Sequence, residues 1–316
     1  MTQPALTPDG RLRHFLTLDG LGAARIKDLL DTAEALRPHA AGGTGARQLL
    51  AGRTVCNLFF ENSTRTRTSF QLAAQRLGAD VVNFDIAASS VKKGESDLDT
   101  LRTIEAMGVD AFVIRHTENG AVADLADGVL PSTSVLNAGD GRAAHPTQGL
   151  LDMLTIRQHK GGDFSKLKVL IVGDVRHSRV ARSDLHALRA LGCGEIRVCA
   201  PQSLLPEADS LVGCVVGQQL DALLEDIDVV MMLRVQRERM EEGLVPSLEE
   251  YFSTFGLTRQ RLDKAKPNAI VLHPGPINRG VEIAGDVADG TNSVILQQVA
   301  NGVAVRMAVL KHLLAG

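Results

Sequence analysis

The sequence predicts an α/β fold with two similar-sized α/β domains, each with a mainly parallel sheet flanked by helices, joined by a long interdomain helix. Short apolar runs that are typical of buried strands alternate with segments of helical periodicity. The chain has 316 residues, 44% of them hydrophobic, which is enough to bury two cores. A helical stretch near the middle of the chain ends at the turn-rich segment 160–163, which favours a domain boundary close by.

Apolar runs and glycines define the individual elements. The predicted strands are 54–60, 81–84, 111–114, 135–136, 169–172, 196–199, 229–233 and 269–272. A helix with one apolar face follows the first strand and ends at Gly78, and a second follows the next strand and ends at Gly108. Glycine favours these ends because it accepts the left-handed backbone angles that terminate a helix.

Two domain boundaries follow from these elements. The long helix predicted at 146–159 lies between the two α/β halves, so we expect one domain at 1–148 and the other at 149–291. The final segment, 292–316, has helical periodicity and no strand after it. We expect this last helix to pack back on the first domain.

Charge and hydropathy exclude several classes of protein. The net charge is −3, with 34 Lys and Arg against 37 Asp and Glu, so no broad basic surface is available for nucleic acid or for an anionic membrane. The first residues contain no apolar signal segment, and no stretch of the chain is long and apolar enough to span a bilayer. These features predict a cytoplasmic protein that binds neither membranes nor nucleic acid.

The cysteines and the missing nucleotide motifs limit the chemistry further. Cys56, Cys193, Cys199 and Cys214 form no CxxC pair and no cluster with histidine, which predicts buried thiols in a reducing compartment and no metal site. The sequence contains neither GxxxxGK[ST] nor GxGxxG after a strand, so nucleotide hydrolysis and dinucleotide redox chemistry are disfavoured. No cofactor is predicted.

The most informative segment is STRTR at 63–67, where the first predicted strand runs into a helix. The N-terminus of a helix carries partial positive charge and unpaired N–H groups, so acidic residues are usual there and arginines are not. Arg65 and Arg67, together with the hydroxyls of Ser63, Thr64 and Thr66, are explained if a phosphate dianion binds at this point. The alternative is a serine N-cap followed by two solvated arginines, and the preceding Glu61 could pair with a nearby arginine.

This segment, followed by Thr-Ser-Phe, resembles the carbamoyl phosphate signature of the aspartate and ornithine carbamoyltransferases, and the resemblance extends over residues 11–316. It implies that carbamoyl phosphate is bound by Ser63, Thr64, Arg65, Thr66, Arg115, His145, Gln148, Ser89 and Lys93. It also implies catalytic roles for Arg65, Thr66, Arg115, His145 and Lys93. Several of these residues follow the carboxyl ends of predicted strands, which is where open parallel sheets bind ligands.

Two of these segments have ordinary structural alternatives. His145 directly precedes a proline, so it could simply lie exposed at the start of a helix. The polar segment 89–96 could be a plain surface loop. The resemblance instead implies that Ser89 and Lys93 reach into the active site of a neighbouring subunit, and therefore that the protein is a homotrimer with shared active sites.

The second substrate is predicted from a separate group of residues. Paired guanidinium groups suit a dicarboxylate, and the resemblance assigns aspartate binding to Lys93, Arg179, Arg234, Gln236, Gly275 and Pro276. The segment from His273 to Pro276 matches the proline loop of the aspartate branch and lacks the cysteine of the ornithine branch. Some members have leucine at the position of Gly275, but the implied contact is through a backbone carbonyl. The same analogy implies a cis Gly275–Pro276 bond.

The resulting hypothesis is transfer of the carbamoyl group to the amine of L-aspartate, as in de novo pyrimidine biosynthesis. The amine attacks directly, and the departing phosphate accepts its proton, so neither a metal nor a covalent intermediate is required. Two alternatives remain open: an ornithine-type carbamoyltransferase, and a catalytically silent assembly subunit. The sequence also leaves open whether the trimer joins a regulatory chain or a dihydroorotase-like partner.

Overall fold

The structure, a computed structural model, describes residues 6, 7, 9–84, 95–235, 243 and 247–315. It divides into two compact units. The first comprises Met1–Leu154 with Ala300–Gly316, and the second comprises Thr155–Val299. Both divisions fall inside long helices, so the chain passes between the units without an extended linker.

The first unit contains a four-stranded parallel sheet in the order β2-β1-β3-β4. Its strands are β1 (Thr54–Phe59), β2 (Asp80–Phe84), β3 (Ala111–His116) and β4 (Ser134–Asp140). The two central strands, β1 and β3, are almost wholly buried, whereas the edge strand β2 is largely exposed. Continuous apolar runs are expected for strands that are covered on both faces of a parallel sheet.

Helices flank this sheet, and their buried side chains pack with those of the strands to form the hydrophobic core of the unit. They are α1 (Ala23–Ala40), α2 (Thr64–Leu77), α3 (Asp97–Glu105), α4 (Ala121–Asp127) and α5 (Pro146–Lys160). The predicted stop of α2 at Gly78 is confirmed, since Gly78 is the left-handed C-cap with φ 90°. The Ser96 hydroxyl accepts the Asp99 N–H at 3.1 Å and so fixes the start of α3. The core beneath α3 and α4 includes Leu58 and Phe112.

The second unit contains a five-stranded parallel sheet in the order β7-β6-β5-β8-β9. Its strands are β5 (Lys168–Val172), β6 (Glu195–Cys199), β7 (Cys214–Gly217), β8 (Val229–Met232) and β9 (Ile270–Leu272). Strand β7 was not predicted from the sequence. It is a four-residue edge strand with two exposed valines, so it lacks the apolar run that identifies the buried strands.

The remaining helices are α6 (Arg179–Ala190), α7 (Leu220–Leu223), α8 (Leu248–Phe255), α9 (Arg259–Leu262), α10 (Gly285–Ala288) and α11 (Ile295–Leu314). Side-chain caps mark several of their starts, among them Ser178, whose hydroxyl accepts the Ala181 N–H at 3.1 Å. In the described part of the chain, no helix combines the length and apolar character needed to cross a membrane.

The prediction of buried thiols holds for two cysteines. Cys56 and Cys199 are buried, and burial raises the pKa of each thiol to about 12. Cys193 and Cys214 are only half-buried, which corrects the expectation of four buried thiols. Cys214 begins the exposed edge strand β7, and Cys193 lies in the turn before β6, so neither position is covered on all sides.

Candidate functional site

In the first unit, the carboxyl ends of β1, β3 and β4 bring predicted site residues to one edge of the sheet. Phe59 pairs with Arg115 in the parallel register, and the Phe60 N–H donates to the Arg115 carbonyl at 2.8 Å. The chain then runs from β1 directly into α2. Segment 63–66 and Arg115 therefore lie at the same sheet edge.

The start of α2 has the polarity expected of an anion site. Ser63 occupies the N-cap position with extended backbone angles, and no acidic residue lies in the first turn. Its hydroxyl bonds the Thr66 hydroxyl at 2.9 Å and makes no cap hydrogen bond to the backbone. The N-cap position of Ser63 and the exposure of Arg65 and Arg67 agree with the alternative of a serine N-cap followed by two solvated arginines, although the Ser63 side chain makes no capping hydrogen bond. Thr66 is buried, whereas Thr64 and Arg65 are exposed.

Arg115 is buried and held from two sides. Its Nη1 donates to the Ala138 carbonyl at 3.2 Å, and its Nη2 forms an ion pair with Glu61. The expected pairing of Glu61 with an arginine is thus found. Because a planar guanidinium that is bound at two points has a fixed orientation, Arg115 is a preorganised cation at the sheet edge.

His145 and Gln148 follow β4 at the start of α5. His145 is only 6% exposed, so the alternative of an exposed helix-initiating histidine is wrong. Its carbonyl accepts the Gln148 N–H at 3.0 Å, which closes the first turn. The Gln148 side chain donates from Nε2 to Asp152 at 3.0 Å. Sequence reasoning missed Asp152, although its position four residues after Gln148 on a helix could have suggested the contact.

In the second unit, three neighbouring strands end near the other predicted residues. Arg179 is the first residue of α6 and follows β5, Arg234 follows β8, and Gly275 follows β9. Since β5, β8 and β9 are adjacent in the sheet, these residues also share a carboxyl edge. Arg179 is half-buried and Arg234 is exposed. The Gly275–Pro276 bond is cis, as the resemblance implies, and the Gly275 N–H donates to His273 Nδ1 at 2.8 Å.

A buried carboxylate that sequence reasoning missed supports this second edge. Glu282 is fully buried, and its two oxygens accept the N–H groups of Val235 and Asn278, each at 2.9 Å. The Asn278 side-chain amide adds a third bond at 2.8 Å. Burial raises the pKa of Glu282, against the opposing effect of these hydrogen bonds. The carboxylate thus ties the segment after Arg234 to the proline loop.

Three predicted residues, Ser89, Lys93 and Gln236, lie outside the described residues. The other predicted residues form one group at the sheet edge of the first unit and a second group at the sheet edge of the second unit. Over the ranges that the structure describes, no cluster of three or more His, Cys, Asp or Glu side chains is arranged to hold a metal ion.

Comparison with known families gives two matches that together cover most of the chain. Residues 13–158 match the aspartate/ornithine carbamoyltransferase carbamoyl-P binding domain. Residues 165–313 match the aspartate/ornithine carbamoyltransferase Asp/Orn binding domain. The two matched segments correspond broadly to the two structural units.

Individual relatives distinguish the branches of this family. The aspartate carbamoyltransferase catalytic subunit of Xanthomonas campestris pv. campestris is 67% identical over 314 residues, covering 99% of this chain and all of the relative. Aspartate transcarbamoylase from Trypanosoma cruzi, in complex with carbamoyl phosphate and aspartate, is 31% identical with a TM-score of 0.84, over 96% of this chain and 97% of that one. Ornithine carbamoyltransferase from Pyrococcus furiosus is 27% identical with a TM-score of 0.85, over 100% of this chain and 99% of that one.

Proposed function

The chain belongs to the aspartate/ornithine carbamoyltransferase family, and from this premise we propose that it transfers the carbamoyl group of carbamoyl phosphate to the amine of L-aspartate. The products are N-carbamoyl-L-aspartate and phosphate, so the reaction belongs to de novo pyrimidine biosynthesis. The observation that carries the proposal is the start of α2, where arginines occupy a helix N-terminus that has no acidic residue in its first turn.

The first unit holds carbamoyl phosphate in this proposal. The hydroxyls and backbone of segment 63–66, with Ser89 and Lys93, bind the phosphate, and the Arg65 cation faces the charge that develops as phosphate departs. Thr66, Arg115 and His145 donate to the carbonyl oxygen, and Gln148 binds the carbamoyl amide. The buried Arg115, fixed by Ala138 and Glu61, requires little reorganisation to do so.

The second unit holds aspartate. Arg179 and Arg234 bind the two carboxylates, Gln236 and the Lys93 ammonium assist them, and the backbone at Gly275 and Pro276 completes the site. The aspartate amine then attacks the carbonyl carbon, forming a C–N bond and a tetrahedral intermediate. The C–O bond to phosphate breaks, and the phosphate takes the amine proton, so no covalent enzyme intermediate is formed.

Several further features belong to the same proposal. The active protein is a homotrimer in the cytoplasm, and Ser89 and Lys93 complete the active site of a neighbouring subunit. A regulatory chain or a dihydroorotase-like protein is a candidate further partner. The likeness in fold to both aspartate and ornithine enzymes leaves the acceptor to be tested directly.

Acceptor specificity is tested by comparing kcat/KM for L-aspartate and L-ornithine at saturating carbamoyl phosphate. Aspartate is expected to be the faster acceptor by orders of magnitude, because each guanidinium would bind one of its carboxylates while an ornithine ammonium would be repelled. Faster turnover of ornithine would refute the assignment. Absence of turnover with either amine, in a protein that still binds carbamoyl phosphate, would favour the silent assembly subunit.

The phosphate site is tested by the substitution Arg65→Ala. We expect kcat to fall by about a hundredfold to a thousandfold, because a charge aimed at the transition state is lost. Arg102→Ala is the matched control, since Arg102 lies on α3 and donates to the Gly128 carbonyl. Wild-type turnover in a folded Arg65→Ala protein would remove Arg65 from the mechanism.

A further inference from the structure

His273 follows β9 at the carboxyl edge of the second sheet, and the proposed reaction gives it no direct role. It is only 1% exposed. Its backbone N–H donates to the side-chain oxygen of Gln298, on α11, at 3.0 Å, so the residue is anchored to a neighbouring helix. The loop that carries Gly275 and Pro276 therefore begins at a fixed point.

The imidazole of His273 is held in one orientation and one tautomer. Its Nδ1 accepts the Gly275 N–H at 2.8 Å. A ring nitrogen that accepts from an N–H group carries no proton itself, so the proton of the neutral ring is on Nε2. Nε2 lies 3.9 Å from Glu282 Oε2, and both side chains are fully buried. The ring therefore lies between the proline loop and a buried carboxyl group.

Glu282, on the far side of the ring, is itself fixed by the backbone. One of its oxygens accepts the Val235 N–H and the other accepts the Asn278 N–H, each at 2.9 Å. Asn278 lies three residues after Gly275 in the chain. The backbone from Gly275 to Asn278 is thus bound at both ends, at one end by the imidazole and at the other by the carboxyl group.

Gly275 needs such a restraint more than other residues do. Its φ is 63°, in the left-handed region. Glycine adopts this region readily, but it adopts many others as well, so it keeps one conformation only where its surroundings restrain it. The hydrogen bond from its N–H to His273 is a restraint of this kind, and because the peptide group is planar, the bond sets the orientation of the whole group.

The group that Gly275 offers to a ligand is its carbonyl, which only accepts hydrogen bonds and therefore recognises a donor. L-Aspartate carries such a donor in its amino group. Succinate has the same two carboxylates and no amino group. A carbonyl that is correctly placed at Gly275 would therefore favour aspartate over succinate, whereas the arginines of the site bind the carboxylates of both.

We propose that His273 is a positioning residue that holds the Gly275 carbonyl toward the amino group of aspartate and so determines the preference for aspartate over succinate. The inference rests on the proposed function, in which the backbone at Gly275 completes the aspartate site. Without the imidazole acceptor, the Gly275 peptide rotates and its carbonyl turns away from the ligand. Arg179 and Arg234 still bind the carboxylates, so the affinity for succinate is kept.

The test compares the dissociation constants of L-aspartate and succinate, measured by calorimetry at saturating inorganic phosphate so that no turnover occurs. Wild type should bind aspartate more tightly than succinate. In His273→Gln this preference should fall by about tenfold, the effect of one hydrogen bond. Glutamine is one carbon longer than asparagine and places its amide near the position of Nε2, so it does not replace the Nδ1 acceptor. The affinity for inorganic phosphate, which binds in the first unit, should not change.

Two further variants separate positioning from a purely structural role. In His273→Asn the amide oxygen lies near the position of Nδ1 and can accept the Gly275 N–H, so this variant should keep most of the preference for aspartate although the ring is lost. Gln298→Met keeps the imidazole but removes the acceptor of the His273 N–H, and it carries the test if His273→Gln does not fold. We expect it to lower the preference by about threefold, part of the effect of a full hydrogen bond.

The matched control is His14→Gln in the first unit. His14 is also buried, and its Nδ1 accepts the Val135 N–H at 2.9 Å, so the substitution removes the same kind of hydrogen bond away from the aspartate site. It should lower stability and leave the preference for aspartate unchanged.

Three results would overturn the proposal. They are a wild-type preference in folded His273→Gln, or in Gln298→Met where that variant is needed; a loss in His273→Asn as large as that in His273→Gln; and no preference for aspartate in wild type. Failure of the wild type to carbamoylate aspartate would appear only in the turnover assay, and it would refute the proposed function instead.

Discussion

Glu282 is a buried residue that supports the proposed aspartate site through backbone hydrogen bonds. Its two oxygens each accept a backbone N–H, from Val235 and from Asn278. Glu282→Gln must therefore turn an NH₂ group toward one of these donors. We expect a loss of about 1–3 kcal/mol in the free energy of unfolding and a higher KM for aspartate, because the segment after Arg234 is no longer held.

The matched control for this change is Glu195→Gln. Glu195 is partly exposed and pairs with Arg197, so its replacement should cost at most about 1 kcal/mol of unfolding free energy. Denaturant titration of both variants measures the difference. Equal stabilities for the two variants would contradict the role given to Glu282.

Glu282 should also contribute a pH dependence of stability. Burial raises the pKa of Glu282 in the folded protein, so the folded state binds its proton more tightly than the unfolded state does. The free energy of unfolding should therefore fall as pH rises from the ordinary glutamate pKa to the raised one. Subtracting the pH profile of Glu282→Gln from that of wild type should isolate this fall. A difference profile that rises with pH over the same interval would have the wrong sign.

Single site residues could be predicted from the sequence where the residue type is unusual for its local context. Segment 63–67 is conspicuous because arginines are unusual at a helix start. Glu282 gives no such signal, since its importance comes from burial and from hydrogen bonds to distant parts of the chain. Even Gln148, which the resemblance supplied, was placed without its partner Asp152.

Helix α2 begins within segment 63–67, the proposed phosphate site, and the C-terminal end of the helix allows a test of how strongly its packing contributes to stability. Gly78 and Gly108 both have left-handed backbone angles after a helix, with φ 90° and 91°. A Cβ at Gly78 would overlap the Arg47 carbonyl oxygen, whereas a Cβ at Gly108 would have nothing within 4 Å. We expect Gly108→Ala to cost about 1–2 kcal/mol for the backbone angles alone.

Gly78→Ala should cost clearly more, about 3 kcal/mol or above, since the backbone around Arg47 must also move. Chemical denaturation of the two variants gives the comparison. The two glycines have nearly the same φ and receive the same substitution, so the difference in stability measures the cost of the close contact at Gly78. Similar losses in both variants would show that the contact at Gly78 relaxes without cost.

Elements were predictable where their sequence pattern and their burial agree. The central strands are continuous apolar runs because both faces are covered, and they were found. Strand β7 was missed because an edge strand with exposed valines has no such run. Helix α1 was also missed, although Ile26, Leu29 and Ala33 show the helical spacing that buries them.

For the whole molecule, the two-domain architecture could be predicted from the alternation of strands and helices, but the point of division depends on packing. The contact division falls at 154/155, inside helix α5, whereas the expected boundary at 148/149 lies near the beginning of that helix. A helix continues through the boundary because its backbone hydrogen bonds are local, while the side chains along it pack with different cores. The sequence pattern therefore predicts the helix, whereas the position of the domain boundary within it is seen only in the packing of the folded protein.

The proposed trimer with shared active sites predicts that two variants with different defects can restore activity when they assemble together. If Arg65 acts from one subunit and Lys93 from its neighbour, the Arg65→Ala and Lys93→Ala proteins should each keep at most about a hundredth of wild-type activity. The two variants are mixed in equal amounts, dissociated and reassembled. The mixture should recover about a quarter of wild-type activity, because one active site in four combines an unmutated Arg65 with an unmutated Lys93.

The control for this experiment mixes Arg65→Ala with Arg115→Ala in the same way. Arg65 and Arg115 lie at one sheet edge of the same unit, so every chain in that mixture lacks a group that its own site requires. Activity should then stay at the level of the parents. Recovery in both mixtures would point to an effect other than site sharing, and recovery in neither would place Lys93 in the same subunit's site as Arg65.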